Sequence, residues 1–151
     1  MEKIEISTEK RNELIEGFKK MKSVGMVFLI IGLVGVVPIF PVMFGLLDTT
    51  ASYGFPTIGF LFIGILYLSQ ADMAIKKINQ GDIDVYKTRC IRKRFFNEYA
   101  VVENNDIISK KVRKPEKGIM IIGSTKLIQA EDEIGIVKFD KNSIYAFSLK
   151  S

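Results

Sequence analysis

Between Ser23 and Ala71 the chain carries a single charged side chain, Asp48, flanked by two long apolar runs, Val24–Leu47 and Thr49–Ala71. A helix rises about 1.5 Å per residue, so about 20 residues span a hydrocarbon core about 30 Å thick. Each run is long enough to cross. A chain of 151 residues has room for one such hairpin and one small domain, and too little else to wrap two wholly apolar helices in a soluble core. The first run is not expected to be a cleaved leader. It far exceeds an h-region of about 7–15 residues, no A-x-A site follows it, and five carboxylates sit among the six basic groups ahead of it.

The first span, 24–47, holds Pro38 and Pro41 in its second half, where each removes a backbone donor and favours a kink or an early end. The second span, 56–71, opens on Pro56, a good first-turn residue. Residues 48–55 between them form a short polar turn, which can join only antiparallel neighbours. Lys10, Arg11, Lys19, Lys20 and Lys22 precede the first span, Lys76 and Lys77 follow the second, and the connecting turn has no basic residue. The positive-inside rule then places both termini in the cytoplasm and Asp48 outside. Small residues mark where the helices can pack: Gly25, Gly32 and Gly35 on the first span, Gly59 and Gly64 on the second. The bland reading joins the two spans of one chain through these faces, and homo-oligomer assembly is the other. Asp72 sits one turn before Lys76, at the spacing of an ordinary surface pair.

Residues 1–23 read as a cytoplasmic amphipathic juxtamembrane helix, with Leu14, Ile15, Phe18 and Met21 at helical spacing and Ser7 or Thr8 as the cap. It can lie on the membrane surface or pack on the following domain. The second span continues as a stalk over 72–81 to Gly81, a helix stop. From Asp82 the period changes to short Ile-, Val-, Tyr- and Phe-rich segments between Asn, Gly, Asp and Lys clusters. Strands are expected over Ile83–Phe95, Tyr99–Glu103, Ile107–Val112, Gly118–Ile122, Lys126–Ala130, Gly135–Phe139 and Ser143–Leu149, the last two joined as a hairpin at Asp140–Asn142. The fold class is therefore an α+β membrane protein: an N-terminal two-helix transmembrane hairpin, then a small cytoplasmic all-β domain over 82–151. That domain is either a barrel of the OB or SH3 kind or a flatter sheet covered by the N-terminal helix.

This layout, a membrane hairpin first and a small cytoplasmic barrel last, resembles two kinds of bacterial protein: the short NfeD-type membrane proteins and the membrane-anchored β-barrel effectors of antiphage signalling. The resemblance is one of architecture. No residue motif of either family occurs here, and no site is carried over.

Two basic clusters stand out in the β region. Lys87, Arg89, Arg92, Lys93 and Arg94 form the first; Lys110, Lys111, Arg113 and Lys114 form the second. Plain strand alternation sets Lys87, Arg89 and Lys93 against Arg92 and Arg94. Charge on both faces implies an exposed or edge strand. With a net charge of +5, the clusters also suit the anionic headgroups of a lipid bilayer. Binding of nucleic acid or nucleotide, with Phe95, Phe96 and Tyr99 stacking on bases, is a third and less favoured reading, those rings being expected in the core. Asp82 with Asp84, and Glu131-Asp132-Glu133, supply too few ligands for a metal site. Cys90 is the only cysteine, so it has no disulfide partner in the chain, and a nucleophile there would lack a base because histidine is absent. Glycine-rich phosphate loops and the Gly-x-Ser-x-Gly pattern are missing too, so no catalytic residue, metal or cofactor is implied and an enzyme is not expected.

Three functions remain. In the first, a membrane-anchored, non-enzymatic interaction or scaffold protein presents the basic β domain at the cytoplasmic membrane face to a headgroup or a membrane protein partner. In the second, a sensor–effector binds a ligand on the β domain and changes helix assembly. In the third, the chain is an accessory anchoring subunit of a membrane enzyme. The first makes the fewest demands on the residues.

Overall fold

The computed structural model describes residues 2–37, 54–94, 96, 98–103, 118–139 and 143–150. It holds two long helices and a six-stranded antiparallel sheet that curls into a nearly closed barrel. The chain divides into two compact units, Lys19–Met73 and the remainder, Met1–Phe18 with Ala74–Ser151.

Helix α1 runs from Thr8 to Val36 and α2 from Gly54 to Gln80. Ser7 caps α1: its Oγ accepts the Lys10 N–H at 3.3 Å, which satisfies a first-turn donor with no intrahelical partner. Gly81 ends α2 at φ +73, a conformation that costs glycine nothing. Its N–H reaches the Ile78 carbonyl and the Asp82 N–H reaches the Lys77 carbonyl, the paired bonds of a Schellman stop.

Within the Lys19–Met73 unit the helices run antiparallel. A Cβ on Gly25 would meet Tyr67 and the Gly64 carbonyl, one on Gly32 would meet Leu61, and one on Gly35 would press into Thr57. Built on Gly64, it would come within 2.7 Å of the Leu29 backbone nitrogen. Four glycines therefore let the two backbones approach closely. Gly59 stands apart, with no described atom within 4 Å of a Cβ there, and is not part of this contact. Phe28 stacks on Phe60 at 5.7 Å. Asp72 does not pair along its own helix with Lys76: the antiparallel arrangement sets it against Lys22, at 2.6 Å.

Among the described residues one helix, over Thr57–Gln80, is long and apolar enough to cross a membrane. The charge-free part of α1 described here, from Ser23 onward, measures only about 22 Å. The rest of the first apolar run, with Pro38, Pro41 and the turn after it, lies outside the described residues.

The other unit is built on β2 (Asp84–Arg94), which pairs on one edge with β5 (Glu133–Lys138). Its other edge takes β1 (Glu2–Lys3) along the first half and β3 (Tyr99–Val102) along the second. The sheet order is β4 (Ile119–Met120), β3, β2, β5, β6 (Ile144–Ser148). A parallel bridge between Ile121 and Ala146 then brings the two ends together. Cys90, Ala100, Val102, Ile119, Ile121, Ile128, Ile134, Ile136 and Ala146 fill the interior.

The opposite face of β5 and β6 is buried as well, beneath the first turns of α1. Phe18, fully buried, meets Phe139 and Tyr145 edge-on at 5.4 and 5.1 Å. The amphipathic N-terminal segment thus covers the barrel: the sheet curls and is not the flatter alternative, but the helix cover expected with that alternative is present. Gly135 is required by this layer, because Phe147, its cross-strand partner, lies where a Cβ would go. Lys77 Nζ donates to the Phe139 carbonyl at 2.5 Å, tying the end of α2 to the end of β5.

The expected strand Ile107–Val112 lies outside the described residues, as does the Asp140–Asn142 turn, and one described segment differs. Lys126–Ala130 is not a strand: Thr125–Leu127 forms a single 3-10 turn, and only Ile128 enters the core. The Asp132 carboxylate captures the Gln129 N–H at 2.7 Å, so the backbone closes locally instead of joining a ladder.

Candidate functional site

A bulge near Ile91 decides how the basic residues of β2 are displayed. Cys90 pairs with Val102 but Arg92 pairs with Val101, so one extra residue is inserted between them. Directly opposed residues share a face, and one inserted residue reverses the alternation after it. Before the bulge Lys87 and Arg89 point outward, away from Cys90. Beyond it Arg92 and Arg94 point outward, while Lys93 joins Ala100 and Cys90 on the inner side. The plain alternation of the sequence is overturned here: Lys87, Arg89, Arg92 and Arg94 share the outer face, and Lys93 is the exception. Its ammonium reaches the Thr125 carbonyl at the barrel end, at 3.2 Å.

The members of this strip are not equivalent. Lys87 forms a 2.7 Å ion pair with Glu133, and that hydrogen bond, ahead of smaller influences, holds its ammonium above the ordinary lysine value. Arg94 is half-buried and engaged in a contact of its own. Arg89 and Arg92 are exposed, with no ion-pair partner among the described residues. Beyond Arg94 the chain turns toward β3, and there Phe96 is 99% exposed at φ +54. A bulky residue in the left-handed region is uncommon. The expectation that Phe96 belongs to the core therefore fails: the turn holds the ring in solvent at the end of an arginine-bearing face. Phe95 and the second cluster, Lys110, Lys111, Arg113 and Lys114, lie outside the described residues.

The carboxylates singled out in the sequence are met by lysines. Asp84 pairs with Lys3 at 2.7 Å, Asp132 with Lys150 at 2.7 Å, and Asp82 lies 3.9 Å from Lys77. The Lys150 hydrogen bond, then the Gln129 N–H, keep the Asp132 carboxyl below its usual value. Among the described residues no three His, Cys, Asp or Glu side chains are placed to hold a metal ion. Cys90 is fully buried in the barrel, and burial, the largest influence, pushes its thiol up. It is a core residue rather than an activated nucleophile. The chain matches no protein family, no curated protein and no solved structure.

Proposed function

We propose that the protein is a membrane-anchored, non-enzymatic interaction module. In this reading α1 and α2 cross the bilayer as an antiparallel hairpin, both termini lie in the cytoplasm, and the barrel offers Arg89, Arg92 and Phe96 to anionic headgroups. One observation carries it: the apolar residues of both helices are turned outward. Val27, Leu33, Val34, Phe62 and Leu66 are each more than half exposed, and only 17% of the most apolar stretch of α2 is buried. A core helix of a soluble protein buries most of such a surface, whereas lipid covers it without cost.

The test is fractionation of cells expressing the chain. It is expected in the membrane pellet and to resist an alkaline wash. A single cysteine at position 150, on a Cys90→Ser background, should react with an impermeant maleimide only after lysis. Recovery of folded chain in the soluble fraction overturns the anchor, and labelling of intact cells overturns the orientation.

The basic strip makes a separate prediction. An arginine near an anionic leaflet contributes about 1 kcal/mol. Arg89→Gln with Arg92→Gln should lower the ratio of phosphatidylglycerol to phosphatidylethanolamine retained by the full chain roughly tenfold or more, read by native mass spectrometry. Phe96→Ser should lower total retention without changing that ratio. An unchanged ratio in the arginine variant reduces the strip to protection of the strand against unwanted pairing.

A further inference from the structure

Within the barrel unit three large apolar side chains stand exposed among the described residues: Ile91 at 49%, Phe96 at 99% and Leu127 at 37%. All three belong to the bulge end of β2. Ile91 lies at the bulge itself, and Phe96 comes just past the end of the strand. The Glu131 N–H donates to the Cys90 carbonyl at 2.6 Å, and the Lys93 ammonium reaches the Thr125 carbonyl. These two bonds hold the turn that carries Leu127 against the same half of the strand. Single exposed apolar residues are ordinary on a protein surface, but a cluster of them rimmed by charge marks an interaction site.

Phe96 is the informative member. Its φ of +54 is a conformation that a bulky side chain adopts only at a cost, and no burial of the ring offsets it. Glycine or asparagine would hold the same turn with less strain. A ring kept in water this way gains free energy only where an apolar medium receives it. The surrounding charge says which medium. Lys126, exposed beside Leu127, adds to the four cations between Arg89 and Arg94, so this end stays basic despite the exposed carboxylates Glu98, Glu103 and Glu131. An anionic leaflet meets both demands at once, with acyl chains for the ring and headgroups for the cations.

We infer that the bulge end of the barrel is an insertion tip. Phe96, Leu127 and Ile91 enter the boundary between headgroups and acyl chains of an anionic bilayer, while Arg92 and Lys126 stay among the headgroups. The inference rests on the headgroup reading above, which asks only for surface contact, and adds penetration beneath that surface.

The chain contains no tryptophan, so one introduced tryptophan is read without background. Phe96→Trp and Leu127→Trp chains are reconstituted at full length in nanodiscs whose lipids carry bromine on the acyl chains. In phosphatidylglycerol discs both are expected to shift to the blue and to be quenched about twofold or more, and in phosphatidylcholine discs clearly less. Glu2→Trp, on β1 beside the other half of β2, should stay unquenched. With the reporter at 127, Phe96→Asn keeps the left-handed turn and should remove most of the quenching. Arg92→Gln with Lys126→Gln should bring it down to the phosphatidylcholine level. No quenching at position 96 in phosphatidylglycerol discs overturns the insertion, and if the chain still retains that lipid selectively, the headgroup reading stands without it. Equal quenching at positions 2 and 96 overturns the assignment to this end. A blue shift without quenching that grows with protein concentration means that the tip meets a second copy, and overturns it too. A chain that stays out of the discs overturns the anchor; the tip is then read against added brominated phosphatidylglycerol vesicles, where quenching supports it and its absence overturns it.

Discussion

Phe18→Ala is expected to be the most damaging single substitution in the barrel unit, at about 3–5 kcal/mol. Phe18 is fully buried and touches two aromatic rings edge-on, so truncation removes its transfer energy, both ring contacts and the packing that seals the sheet. Gly17 beside it leaves little slack. It sits so close to Ile122 and the Gly123 backbone that a Cβ would not fit, and the helix cannot settle inward to fill the void. For a unit of roughly 100 residues a loss of this size lowers the melting temperature by roughly 15 °C or more. Calorimetry of the full chain in mild detergent would show it. Phe18→Leu keeps most of the volume and should cost about 1–2 kcal/mol. If the alanine variant melts within 2–3 °C of the parent, roughly half a kcal/mol, α1 does not hold the barrel.

The second large effect is expected at Gly64. The obstacle there is the Leu29 backbone nitrogen, 2.7 Å from an added Cβ, and main chain within a helix cannot rotate aside as a side chain can. Gly64→Val must push the helices apart, at about 1–3 kcal/mol. The separation also opens the matching contact at Gly25. Gly59→Val changes the same residue type on the same helix, toward space with no described atom within 4 Å. Cysteines at positions 28 and 60, where the two rings stack, report the distance through a short bismaleimide on a Cys90→Ser background. Cross-linking should drop several-fold with Gly64→Val and hold with Gly59→Val. Equal cross-linking in both would mean that the helices do not meet through their glycines.

Much of the barrel is legible in the sequence because strand period and turn residues coincide in it. Val85 to Arg94, Tyr99 to Val102 and the two strands around Asp140–Asn142 all combine β-branched or aromatic residues with polar breaks, and all are strands. Strand β1 leaves no such signal. Glu2 and Lys3 are exposed charged residues held by main-chain bonds, which no side-chain pattern reports. The segment around Ile128 misleads in the opposite sense, because its apolar residues fit a strand while the Asp132 carboxylate closes a local turn.

The candidate site is half legible. Its residue types are plain in the sequence, but their grouping on one face rests on the single inserted residue at the bulge, and a one-residue insertion has no compositional signature. Phe96 is misread for a related reason. An aromatic ring beside a strand usually packs inward, and only the backbone turn, with φ +54, shows that this one does not.

The barrel unit draws on both ends of the sequence, Met1–Phe18 and Ala74–Ser151. During synthesis the first of these emerges long before the second. The surface that Phe18 covers includes Tyr145 on β6, which leaves the ribosome long after Phe18 itself. Leu14 and Phe18 must therefore wait, uncovered, while the apolar segment between is made and placed, and the domain closes only when the final strand arrives. Such late, long-range closure slows folding and leaves sticky intermediates in the meantime. Early capture of that apolar segment by a bilayer would shorten the wait, tethering both halves of the unfinished domain to one spot and raising the chance that they find each other before they find another chain.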